Sequence, residues 1–283
     1  MDFAVPRALV PYVAATVPYD LDMGGPGVHR GVPSTAPTFV LPLDDPLDIA
    51  WADDPGSRRP RAWSVVSGLH TKPVHIRHDG HQRGVQLALT PAGTRALFGV
   101  PASELAGELV ALDELAPGLE DLPERVAAAA DAAADPGDGA RRAAAVVHRA
   151  LTDALGRRHE PVARAEVGRA LAQLTRGVPA SVVAREVGYS RRRLHTLVRE
   201  ETGLSPTGYR RVARFARVRR MVSWAARARP GTWTLADVAA AAGYADQAHL
   251  TREFVELAGC TPTTWLREEF PFVQDVGAEP AAG

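Results

Sequence analysis

From residue 165 onward apolar positions recur at helical spacing and are cut into short pieces by glycine and proline. Val167, Ala170, Leu171 and Leu174 fall at i, i+3, i+4 and i+7, one apolar face that stops at Gly177. Tyr209, Val212, Phe215, Val218 and Val222 form a second stripe along residues 206–227. Upstream the rhythm changes. Residues 1–115 carry short apolar runs, TFVLPL (38–43), AWSVV (62–66) and GVQLAL (84–89), separated by turn residues, and predict short strands. ERVAAAADAAA (124–134) predicts a helix, DPGDG (135–139) a break, and ARRAAAVVHRALTDAL (140–155) a second helix. GRRHEP (156–161) reads as a linker, and the aspartate-rich LDDPLDIAWADDPG (43–56) as a solvated loop.

The helical part repeats itself. Val183-Ala184 and Gly188-Tyr189 match Val238-Ala239 and Gly243-Tyr244 at an offset of 55, whereas Leu194, Val198, Gly203, Pro206 and Tyr209 match Leu250, Phe254, Gly259, Pro262 and Trp265 at 56. One residue, Ala245, is therefore inserted just after the second Gly-Tyr, inside a turn, and the helices on both sides stay in phase. In the first copy PASVVARE makes a short helix, Gly188 turns the chain, Ser190 caps a second helix over 191–201, and Gly203 stops it. In the second, Thr234 caps LADVAAAA, Gly243 turns, and Asp246 caps a helix from Gln247 to about Leu257. Two short helices joined by a tight glycine turn are the helix-turn-helix unit, whose second helix enters the major groove of DNA.

Leu194, Leu197 and Val198 must face inward, which turns Arg192, His195, Thr196 and Arg199 outward, with Arg191 beside them. In the second copy Leu250 and Phe254 face inward, which turns Gln247, Ala248, Thr251 and Arg252 outward. Arginine pairs with guanine edges, glutamine with adenine, and Thr or Ala touches the thymine methyl. A helix from Pro206 to Arg227 would be about 33 Å long at ~1.5 Å per residue. One turn of B-DNA is about 34 Å, so one rigid helix can hold two recognition helices in successive major grooves. Arg210, Arg211, Arg214, Arg217, Arg219 and Arg220 lie along it, and some are expected at phosphates.

Charge sharpens this division. The net charge of zero conceals 15 basic against 20 acidic residues over 1–159, a balance of −5, and 18 against 11 over 160–270, a balance of +7. A positive footprint confined to the carboxy-terminal part suits a nucleic acid partner. No run of 18 apolar residues marks a membrane span, and the amino terminus lacks a signal-peptide pattern. The single cysteine, Cys260, excludes a disulfide framework or a cysteine-based zinc finger. A reducing cytoplasm is the expected location, in association with the nucleoid.

AREVGYSRRRLHTLVREETGLSPTGY and ADVAAAAGYADQAHLTREFVELAGCTPTTWLR carry a resemblance to the AraC/XylS family of transcription regulators, covering residues 165–267. The resemblance implies base contacts from Arg192, His195 and Thr196 in the first helix and from Gln247, Ala248, Thr251 and Arg252 in the second. Thr196 stands where many members carry Arg, and Val198 where Phe is commoner. PGVHRGVPSTAPTFVLPL, SGLHTKP and GVQLALTPAGTRALFGVPASEL resemble the sensor domains that precede such modules. That implies an α+β chain: a β-rich, cupin-like half-barrel over 1–120, a helical hairpin and linker over 121–160, the DNA-binding part over 161–270 and a tail over 271–283. A small-molecule effector is expected, with Trp51, Trp63, His70 and His75 as candidate pocket lining. Double-stranded DNA is the expected partner, RNA polymerase a further one, and the apolar faces of 124–155 could pair two copies. His70, His75, His78 and His81 could suggest a metal, but no carboxylate motif completes a site, and neither metal nor cofactor is expected. An enzyme is not the expectation. The alternatives are a cupin-like metal enzyme fused to a DNA-binding module and a regulator without an effector.

Overall fold

The computed structural model describes residues 3–157, 165–227 and 233–269. The expected linker at 156–161 falls largely, and the 271–283 tail wholly, outside the described residues. The first half begins with strands β1 (Val13–Asp22), β2 (Gly27–Gly31), β3 (Thr38–Pro42), β4 (Leu47–Trp51), β5 (Asp54–Ala62), β6 (Val65–Ser67), β7 (Val74–His78) and β8 (His81–Leu89). Helix α1 (Pro91–Phe98), strand β9 (Leu109–Val110), α2 (Leu112–Leu115), α3 (Leu122–Asp131) and α4 (Pro136–Arg157) follow. The strands build two antiparallel sheets, ordered β1-β8-β3-β6-β9 and β2-β7-β4-β5, which stay open rather than closing into a barrel.

Strict alternation decides what each face of the five-stranded sheet meets. Phe39, Leu41, Val66, Val85, Leu87 and Leu89 face α1, α3 and α4 and form the main core with Leu97, Val126, Val147 and Leu151. Their neighbours Thr38, Val40, Gln86, Ala88, Val65 and Ser67 face the second sheet. The apolar faces of α3 and α4, expected as a possible pairing surface, are thus buried against this chain's own sheet. At α4 the expected break at 135–139 is instead a helix start, because Asp135 accepts a hydrogen bond from the Asp138 amide at 2.8 Å and caps the end. The acidic stretch 43–56 also departs from its expectation as a loop. Leu47, Ile49 and Ala50 are buried in β4, while Asp48 reaches out to accept from Arg58 Nε at 2.8 Å. Flanking aspartates had masked a short alternating strand.

The second half is helical: α5 (Ala165–Thr175), α6 (Ala180–Glu186), α7 (Arg191–Thr202), α8 (Pro206–Arg227), α9 (Leu235–Ala242), α10 (Gln247–Ala258) and α11 (Pro262–Glu269). Two separate cores lie along α8. Its start gives Tyr209 to a cluster with Leu174, Val183, Leu194, Leu197 and Val198. Its later turns give Phe215, Val218 and Val222 to a cluster with Val238, Leu250, Phe254 and Trp265. Each cluster also accepts residues of the first half: Leu69 and Ala102 in one, Val32 in the other.

Candidate nucleic-acid interface and the pocket behind it

Each helix-turn-helix is closed by the local chemistry its sequence carries. Gly188 and Gly243 take φ of 74° and 79°, a region open to glycine without steric cost. Ser190 Oγ accepts from the Arg193 amide at 3.1 Å, and Asp246 Oδ1 from the His249 amide at 2.6 Å. Thr234 and Asp237 form a reciprocal capping box at the start of α9. These caps fix where α7 and α10 begin, and so which side chains each presents.

On α7, Arg191, Arg192, His195, Thr196 and Arg199 are all exposed. Thr196 Oγ1 donates to the Arg192 carbonyl at 3.2 Å, which leaves its methyl and acceptor lone pairs for an outside contact. On α10, Gln247, Ala248 and Arg252 are exposed and Thr251 is half-buried. His249 turns aside and packs edge-on against the Tyr244 ring, centroids 5.1 Å apart. The two sets therefore sit on the outer faces of the second helices, both of which pack along α8.

The arginines of α8 have other engagements. Arg210 donates to the Gly177 carbonyl and Arg217 to the Thr175 carbonyl, each at 3.1 Å, tying α8 to the end of α5. Arg211 and Arg214 converge on Glu253 of α10, and Arg219 and Arg220 line a cavity on the opposite side. In this arrangement α8 acts as a brace, and α7 carries the open positive charge. Periodicity predicted the stripe but gave no sign of these partners, which lie about 40 residues away in the chain.

The cavity has a volume of about 230 Å³ and lies between the two sheets, α8 and α11. Its walls are mostly apolar, with Val40, Ile49, Val74, Ile76 and Trp265 among them. Gln82 and Gln86 supply polar groups, and Arg30, Arg219 and Arg220 bring positive charge. Of the four sequence candidates, His70 is on the wall, and Trp51 stands behind it with ring centroids 5.2 Å apart. Burial lowers the pKa of His70, against a smaller upward pull from its hydrogen bond with the Lys72 carbonyl. His75 alternates with the lining residues Val74 and Ile76 and is not part of the lining; burial, then Arg30 and Arg77, lower its pKa. Trp63 lies in the bend between β5 and β6, 43% exposed and off the lining. Sequence reasoning missed the helical wall of this cavity. His81 pairs with Asp20 at 2.7 Å, and among the described residues no group of three or more His, Cys, Asp or Glu could hold a metal.

Contacts across the halves reach both helix-turn-helix units. Ser103 Oγ donates to the Glu200 carbonyl at 2.6 Å, and Ala106 packs against Gly203 at the end of α7. On the other unit Arg30 pairs with Glu268, and Pro73 approaches Gly259. The first half thus touches both units, through the segment 101–107 on one side and through β2 and Pro73 on the other.

Residues 183–268 match the family described as a helix-turn-helix domain. Two crystal structures of ToxT from Vibrio cholerae share the fold. For ToxT of strain O395 the TM-score is 0.50 at 9% identity, covering 90% of this chain and 98% of that one. For an apo variant from strain SCE256 it is 0.50 at 10% identity, covering 90% and 97%. Comparison with curated protein sequences finds no match. No helix among the described residues is long and apolar enough to cross a membrane. The duplicated capped turns, the outward side chains of α7 and α10 and the family match agree: residues 183–268 are a helix-turn-helix domain.

Proposed function

We propose that this chain is a sequence-specific transcription regulator in which α7 and α10 read two successive major grooves and a small molecule in the cavity adjusts their setting. The observation that carries the reading is the pair of exposed recognition faces held along one continuous 22-residue helix, α7 through the cluster of Tyr209 and α10 through that of Phe215, Val218 and Val222. Arg191, Arg192, His195, Thr196 and Arg199 would read the first block, and Gln247, Ala248, Thr251 and Arg252 the second. In this reading residues 1–120 sense, 121–160 form a helical hairpin and linker, and residues 161–270 bind DNA in the cytoplasm; RNA polymerase and a second copy of the chain are its further partners. The test is selection from random duplex DNA by the full-length protein at two salt concentrations. Two enriched blocks about 10 base pairs apart, bound with steep salt dependence, are expected. Failure to enrich any sequence, with or without candidate effectors, refutes the reading.

The cavity favours an effector with an apolar body and an anionic group, since apolar walls meet arginines at the side formed by α8 and by Arg30 of β2. A ligand spanning from sheet to α8 would couple the two halves, because one wall belongs to each. Such a ligand raises the thermal midpoint by the free energy RT ln(1 + [L]/Kd). Arg220→Ala is expected to remove most of the gain for a carboxylate ligand and little for its neutral amide.

A further inference from the structure

Both helix-turn-helix units pack on α8 through apolar clusters, and the second adds a buried ion pair. At the offset of 56 residues, Leu197 in α7 corresponds to Glu253 in α10. Leu197 is buried among apolar neighbours. Glu253 is also buried, at 6% exposure, but it carries a carboxylate. Its Oε1 accepts from Tyr244 Oη at 2.6 Å and from Arg214 Nε at 3.1 Å. Its Oε2 accepts from Arg214 Nη2 at 2.5 Å and from Arg211 Nε at 3.4 Å. The Arg214 guanidinium also lies over the Tyr244 ring, 4.2 Å from its centroid. One carboxylate thereby joins the turn before α10, α10 itself and two successive turns of α8.

Apolar contact is non-directional and tolerates sliding. A bidentate guanidinium–carboxylate pair fixes both distance and orientation. Buried ion pairs add little net stability over well-packed apolar residues, and their best-attested role is to set register. We infer that Glu253 is a positioning residue that sets the tilt and register of α10 on α8, and through them the reading of the second DNA block. This rests on the DNA-reading function proposed above. Gln247 lies six residues from Glu253, about 9 Å along the helix axis. A tilt of about 10° around Glu253 moves Gln247 by roughly 1.6 Å, more than the ~0.5 Å window of a good hydrogen bond. Arg214 is thereby turned towards Glu253, and Arg211 towards Glu253 and Glu256 of the same helix.

The experiment uses full-length protein and the duplex that the wild type enriches from a random pool, intact and with either block scrambled. E253L installs the residue type used in the first unit, and E253Q keeps the shape while removing the charge. For E253L the affinity ratio between the intact duplex and the one scrambled in the second block is expected to fall about tenfold. The ratio for the first block should hold within about twofold, and E253Q should lie between the wild type and E253L. A folded E253L that keeps both ratios overturns the inference, as does an equal loss of both, which would mean only general loosening. If the wild type enriches no sequence, the proposed function fails, and amide exchange then decides this inference separately. Protection should drop in α10 and its preceding turn in E253L with α7 unchanged, and equal protection in wild type and variant overturns it.

Discussion

Alanine at Gly203 tests whether the first half of the chain is seated on α7 in solution. Gly203 ends α7 with φ of 77°, and a Cβ there would lie 2.2 Å from the Cβ of Ala106. Carbon atoms in contact sit about 3.5–4.0 Å apart, so the segment carrying Ala106 would have to retreat by roughly 1.5 Å. Gly188 and Gly243 have nearly the same φ, 74° and 79°, with nothing within 4 Å of a built Cβ. They isolate the backbone cost, about 1–2 kcal/mol for an L-residue in the left-handed region. Overpacking adds about 1–3 kcal/mol, so G203A should cost about 2–5 kcal/mol against about 1–2 for G188A and G243A. Urea unfolding of the three full-length variants measures the difference. The double variant G203A/A106G should recover the added part, because the clashing methyl is gone. If G203A is no worse than G188A, the segment 101–107 does not rest on α7, and the coupling of cavity to recognition helices loses one of its two struts.

His148 is buried and shares a 2.8 Å hydrogen bond with Thr16 Oγ1, and burial lowers its pKa. The unfolded chain then binds the proton more readily, so stability should fall as pH drops below about 6.5, with this histidine contributing at most ~1.4 kcal/mol per pH unit. His148→Gln should flatten that slope in urea midpoints measured from pH 7.5 to 5.5, without abolishing it, since burial also lowers His70 and His75. Trp265 is buried in the second core and forms part of the cavity wall; Trp265→Ala should cost about 3–5 kcal/mol and depress the thermal shift from any cavity ligand. Arg192→Ala and Gln247→Ala should each cost about 1–3 kcal/mol of discrimination, one in the first selected block and the other in the second. Loss in the opposite block would refute the assignment of helices to blocks.

The helical half was legible almost residue by residue, because its signals are local. Ser190, Thr234 and Asp246 cap the helices expected to follow them, and α8 runs over the predicted 206–227. The sheets were harder to read. The strand at 47–51 hides between aspartates whose partners, Arg58 and Arg77, are set by pairing across strands rather than by spacing. The helix start at Asp135 was hidden by a Pro-Gly pair that ordinarily signals a turn. Least legible were features made by distant segments meeting: the cavity wall from α8 and α11, and the convergence of Arg211, Arg214 and Tyr244 on Glu253. A glutamate at an apolar position of a repeat was the available signal for the last of these.

In the proposed reading of DNA by α7 and α10, the continuous helix α8 makes the distance between them a ruler with coarse and awkward graduations. Inserting one residue would advance the second unit by about 1.5 Å and swing it by about 100°. Even a seven-residue insertion, which nearly restores the face, adds roughly 10.5 Å, or three base pairs, over which the duplex itself turns by about 105°. Neither insertion therefore carries the second reader to a neighbouring register on the same side of DNA. Divergence of target sites within this architecture is expected to run through substitutions on α7 and α10, at constant separation between the blocks.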